Sequence, residues 1–308
     1  MTNLRPTNVR KALLPGLFTV ALAAFALCAP SSAAAAAGAA SLFEANGDRA
    51  FAERSRLSAR GLQAIAAYEE AVSAEPTNLT LRVKLLRALF FQAEYATDRL
   101  EERKELYERG RTLFEESYQL LANFAGRDTL RGLKVENLPG VVGHFDDAGP
   151  LYFWGAMHWG LWAESFGKVA AVRQGVIKKV RELSQGALLL APTYEGYGPV
   201  RVLGRLHHLT PKVPILTGWV NRREAVDLLR RAVSAAPDEP LNPTFLAHAL
   251  WQLSNDHRGA LRLLREVIQR RPRTSHELED RKAIDGAHEL IARIESDAAK
   301  RRISLAVP

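Results

Sequence analysis

The chain has 308 residues, 47% of them apolar and 25% charged, enough for one helical-repeat domain or two small ones. Its net charge of +8 falls to +5 without the three cations of its first 40 residues, a stretch that holds no acid. The other cations alternate with acids, as in Glu101, Glu102, Arg103, Lys104, Glu105, Glu108 and Arg109, which leaves no basic stripe of the kind nucleic acid requires.

Residues 1–40 read as an export signal followed by a small-residue tract. Arg5, Arg10 and Lys11 form a basic start, residues 12–29 are an apolar run, and residues 31–40 offer several A-x-A cleavage points. The apolar run is short for a membrane span and carries Pro15 and Gly16 near its start. Cys28 is the single cysteine, so no internal disulfide forms. It stands where a bacterial lipoprotein carries its lipidated cysteine, but the bulky Leu27 before it disfavours that processing. Cleavage further along, within residues 33–40, is expected instead, with membrane attachment only if Cys28 is lipidated. The expected location is the periplasm or cell envelope.

Residues 41–301 read as an all-α domain of degenerate tetratricopeptide-like hairpins stacked as a solenoid, and residues 302–308 as a short tail. Three segments end almost identically: AVSAEP at 71–76, ALLLAP at 187–192 and AVSAAP at 232–237, with EVIQRRP at 266–272 a looser copy. In each, an apolar helical pattern reaches a small or branched residue five positions before a proline that stops the helix. Such recurrent endings mark helix-turn-helix repeats whose hairpins bury their faces only against their neighbours.

In chain order, residues 41–74 fit one repeat, with Ala52, Ala64, Tyr68 and Ala71 at its packing positions. Helices follow at 79–96 and 98–124, then a loop at 126–149 rich in glycine and proline. Residues 151–163, LYFWGAMHWGLWA, are apolar all round and therefore buried. Residues 169–190 complete that hairpin. Breaks at 192–198 and 211–218 precede a helix around Ala225. A last repeat occupies 244–254 and 257–270, opened by Asn242-Pro243. Residues 276–301 make a C-terminal capping helix with Leu278, Ile284, Ala287, Ile291 and Ile294 on one side.

The run Gly198-Pro199-Val200-Arg201-Val202-Leu203-Gly204-Arg205, then Pro211, Pro214, Gly218, Ala225, Leu229, Ala232, Pro237, Pro240, Asn242 and Phe245-Leu246-Ala247, follows the aromatic hairpin in a distinctive order. Across residues 45–272 this resembles the TatT component family associated with tripartite ATP-independent periplasmic (TRAP) transporters. The resemblance implies an exported, all-helical, non-enzymatic homo-oligomer. Its implied role is to contact a periplasmic solute-binding subunit and to hold or pass an apolar or organic-acid solute. Many such proteins are lipoproteins, from which the sequence before Cys28 departs. The competing expectation is a generic envelope tetratricopeptide scaffold for protein–protein interaction that holds no small molecule.

Tyr152, Trp154, Trp159 and Trp162, with Tyr197, are candidate walls of an apolar pocket, against the plainer expectation of helix–helix core. Trp154 lies on a different helix face from Trp159, so only some of these rings face one cavity. Arg201 follows Gly198-Pro199 at a helix start, where it is placed to clamp a carboxylate. The plainer expectation pairs it with Glu195 or Glu164. His207-His208 point apart on a helix, with no third ligand at metal spacing. His144, Asp146 and Asp147 belong to a solvated loop. No nucleophile elbow, phosphate loop or cofactor signature is present, so neither an enzyme nor a cofactor is expected.

Overall fold

In the computed structural model, the described residues are 32–55, 59–215, 217–303 and 305. Cys28 and the signal expected before residue 32 lie outside them. The proline-terminated endings set the helix boundaries. Glu75, Ala191 and Ala236, each just before a proline, donate their N–H to the carbonyls of Ala71, Ala187 and Ala232 at 2.9 Å. The proline ring pushes its predecessor out of the α region, and Ala191 (φ −148°, ψ 65°) and Ala236 (φ −136°, ψ 73°) adopt nearly the same backbone. Ala71, Ala187, Ala232 and Val267, each five positions before the proline, are fully buried. Three helix starts carry a side-chain cap, which satisfies N–H groups that the helix leaves free. Asn78 accepts from Leu81, Asn221 from Arg223 and Glu224, and Asp256 from Gly259.

The helices are α1 Ser32–Ala52, α2 Ala59–Ala74, α3 Leu79–Tyr95, α4 Leu100–Phe124, α5 Leu138–Val142, α6 Ala148–Phe166 and α7 Lys168–Arg173. They continue with α8 Val176–Leu190, α9 Tyr194–Leu209, α10 Arg222–Ala235, α11 Leu241–Ser254, α12 His257–Ile268 and α13 Glu277–Arg301. No strand occurs among the described residues. The small-residue tract from Ser32 to Ala40 is the first half of α1, and Ala40 is buried, so the expected boundary at residue 40 falls inside a helix. The helix expected at 169–190 is two, because Gln174-Gly175 interrupts it with Gly175 in the left-handed region. The loop at 126–149 contains α5, and α6 begins at Ala148.

Consecutive helices pair as hairpins: α1 with α2, α3 with α4, α6 with α8 across the short α7, α9 with α10, and α11 with α12. The first helices of four of these hairpins, together with α13, also touch one another in a cycle, α3 to α6 to α9 to α11 to α13 and back to α3. The stack of hairpins thus curves until its ends meet. The closure is ionic: Arg54 pairs with Glu279 on α13 at 2.5 Å, and Lys282 reaches Glu94 on α3 at 3.5 Å. One apolar core runs from Ala50 to Ala187 and is rich in rings; a second, from Val226 to Ile294, is mainly Leu, Ala, Val and Ile. The space inside the cycle lies between them.

Candidate functional site

The central space is a cavity of about 590 Å³, lined by all five helices of the cycle and by Phe51 of α1. That volume suits a small organic molecule. Its apolar wall is aromatic. Phe90, Phe91 and Tyr95 come from α3, and Trp154, Met157 and Leu161 from α6. Trp154 packs 5.1 Å from the Phe90 ring and donates its indole N–H to the Tyr194 hydroxyl at 2.9 Å.

The polar side of the cavity comes from α9, whose opening is kinked. Glu195, Gly196 and Tyr197 all hold left-handed φ values of 47°, 61° and 62°, so regular helix begins only at Gly198-Pro199. Two non-glycine residues in that region cost about 1–2 kcal/mol each. Arg201 offsets this strain. Its guanidinium donates to the carbonyls of Gly196 (3.2 Å) and Glu195 (3.4 Å) and to Asn242 Oδ1 (2.8 Å). Asn242 in turn donates to the Gly196, Ala232 and Ala236 carbonyls, tying α9, α10 and α11 together. The side chain of Glu195 pairs instead with Arg87 at 2.9 Å.

Arg201 is thus held by carbonyls and an amide. It is 7% exposed and borders the cavity with no carboxylate within 4 Å among the described residues. Arg205, one turn further along the same face, is in the same position. Its guanidinium lies 4.1 Å from the Phe245 ring centroid and forms no ion pair among the described residues. Burial lowers the pKa of both guanidiniums, opposed at Arg201 by Glu239 and at Arg205 by Glu164. A desolvated cation of this kind gains when an anion enters. The other cations of the wall are mostly neutralised. Arg273 holds Asp280 at 2.6 Å and Glu239 at 3.1 Å, and Arg54 holds Glu279. Burial acts most strongly on the Glu94 carboxyl and would raise its pKa, but Lys282, Tyr107 and Arg103 together hold it below the usual range.

Of the six residues expected from the sequence, Trp154 and Arg201 border this cavity. Tyr152, Trp159 and Trp162 do not, because they occupy the opposite side of α6, packed on α4 and α8. The Trp159 indole donates to Glu115 at 3.0 Å and lies under Lys179 (3.7 Å) and Arg111 (5.0 Å). The Trp162 indole donates to Glu108, and the Tyr152 ring lies tilted against Tyr118 with centroids 5.5 Å apart. Tyr197 is spent on the kink and does not line the cavity. The expected partners of Arg201, Glu195 and Glu164, do not bind it through their carboxylates. Arg205 is not among the residues expected from the sequence, although its i, i+4 spacing from Arg201 places both on one helix face.

His158, His207 and His208 serve internal contacts, while His248 and His276 border the cavity. His158 is fully buried and donates Nε2–H to the Leu86 carbonyl at 3.0 Å; burial pushes its pKa down to about 4. His207 Nδ1 accepts from the Asn221 N–H at 3.1 Å, while His208 Nε2 lies 3.0 Å from Gln252 Oε1. No group of three or more His, Cys, Asp or Glu that could hold a metal ion exists among the described residues. Asp147 accepts from the Thr80 hydroxyl at 2.6 Å. Among the described residues no helix is long and apolar enough to cross a membrane. No protein-family model matches the chain, and no curated protein matches it either.

Proposed function

We propose that this chain is a non-catalytic binding protein whose central cavity holds an amphipathic organic anion. The apolar part of the ligand packs on Phe90, Phe91, Tyr95, Trp154 and Met157, and its carboxylate meets Arg205 and the free edge of Arg201. One observation carries this reading: two guanidiniums a helical turn apart face an aromatic cavity with no carboxylate partner among the described residues. The resemblance to the TatT component family supplies the setting. In that setting the chain is an exported accessory of solute uptake, forms a homo-oligomer, and delivers to or receives from the solute-binding subunit of a TRAP transporter. The ring closure through Arg54–Glu279 supports a held small molecule over an open scaffold for extended peptides, because the inner helix faces converge on one shared space.

The test is organic extraction of the purified protein, followed by titration with straight-chain carboxylates of increasing length. A carboxylate-bearing molecule should be recovered, and binding should weaken by about 10- to 100-fold in Arg205→Gln, the loss expected for a charge-assisted hydrogen bond. An empty cavity together with indifference of the wild type to every carboxylate would refute the reading. Equal binding by wild type and Arg205→Gln would remove its ionic half.

A further inference from the structure

The apolar side chains that the fold leaves in solvent are not scattered. Twelve large apolar residues are exposed among the described residues, and seven of them fall in two segments: Phe166, Val169, Val172 and Ile177 around α7, and Leu209, Val213 and Ile215 at and beyond the end of α9. Val169 and Val172 are 67% and 75% exposed, and Ile215 is fully exposed. The two segments share one end of the stack. Helices α8 and α9 are hairpin neighbours joined at Pro192, so the start of α8 and the end of α9 point the same way. The Arg181 guanidinium, on the second turn of α8, lies 4.8 Å from the Trp219 ring centroid, just beyond the second segment.

The charge at this end is one-sided. From Ser165 to Arg181 there are five cations and no acid, and from Leu209 to Trp219 one cation and no acid. Lys179 and Arg181 turn inward onto Trp159 and Trp219. Lys168, Arg173 and Lys212 have no carboxylate within 4 Å among the described residues, and Lys178 reaches Glu182 only at 3.8 Å. Helix α7 packs on α6 and α8 and covers the tip of their hairpin, so its valines form a knuckle rather than a groove. Two apolar points ringed by unpaired cations suit a surface that is apolar beneath and negative at its face. Self-pairing would set like charges against each other.

We propose that this end of the stack docks on an anionic lipid bilayer, with Val169, Val172 and Ile215 entering the interface and Lys168, Arg173 and Lys212 meeting the headgroups. The proposal is independent of what the cavity holds and of any lipid on Cys28. It is tested with the full chain by sedimentation with vesicles of phosphatidylcholine alone and of phosphatidylcholine mixed with phosphatidylglycerol. Binding should require phosphatidylglycerol and fall with added salt. Since each cation near such a surface is worth about a fivefold change in partitioning, Lys168→Glu with Arg173→Glu should weaken it by about 25-fold or more. Val169→Asp with Val172→Asp should weaken it as well, and both pairs should keep the wild-type helical spectrum. Because every variant shares the same N-terminal segment, the difference reads the patch alone. No binding of the wild type, binding unchanged in both variant pairs, or a patch whose loss dissolves an oligomer while vesicle binding persists would each overturn the proposal.

Discussion

The two sides of α6 are built from the same residue types and serve different ends. On one side Tyr152, Trp159 and Trp162 fill the space against α4 and α8, and both indoles find a carboxylate on α4. On the other, Trp154, Met157, Gly160 and Leu161 face an unfilled space. Aromatic content therefore marks a buried helix without marking which face is a site. What distinguishes the faces is the supply of partners opposite. The packed face meets carboxylates and close-fitting rings, and the cavity face meets buried guanidiniums with no carboxylate within 4 Å among the described residues.

The largest expected effect comes from pH and concerns the packed face. His158 sits there at full burial, with its pKa pushed down to about 4 from an ordinary 6.5. A depressed histidine is neutral in both states above pH 6.5 and costs nothing there. As the pH falls toward 4, the unfolded chain binds the proton first and stability is lost. Between pH 6.5 and 5, His158 alone should cost on the order of 2 kcal/mol. His207, His208, His248 and His276 are also lowered, burial foremost in each, and act in the same direction. Denaturant midpoints measured across that window should fall steadily; a flat profile would contradict the burial described for these rings.

Two glycines of α6 sharpen the comparison. A methyl group on Gly155 would stand 2.3 Å from the buried Phe114 ring, whereas nothing lies within 4 Å of one on Gly160. Gly155→Ala should therefore destabilise the fold by about 2–3 kcal/mol through overpacking. The smallest effect is of opposite sign: Gly160→Ala should stabilise by about 0.5–1 kcal/mol through helix propensity. Thermal melts of the two variants settle this, and destabilisation of similar size at both positions would mean that the two faces are packed alike.

Much of this architecture is legible in the sequence because its cause is local. A proline fixes the helix end, so a small residue five positions earlier predicts a buried helix contact, and Ala71, Ala187, Ala232 and Val267 are all buried. The interruption at Gln174-Gly175 escapes a periodicity argument, since the apolar pattern continues across it. The facing of α6 escapes as well: a helix apolar all round has no polar side to orient it. Arg201 and Arg205 carry a readable i, i+4 signal that is visible only when the two are taken together. Ring closure is the least legible feature. Arg54 and Glu279 meet through the summed curvature of all the hairpins between them, which no local pattern encodes.

The most direct measurement is carboxylate binding by Trp154→Ala and Trp159→Ala, each set against its own melting temperature. The account predicts that Trp154→Ala loses affinity well beyond its loss of stability. Trp159→Ala should melt earlier than the wild type and bind normally while folded. Equal affinity in the two folded variants, or a selective loss in Trp159→Ala, would contradict the assignment of the ligand to the cavity between the two cores.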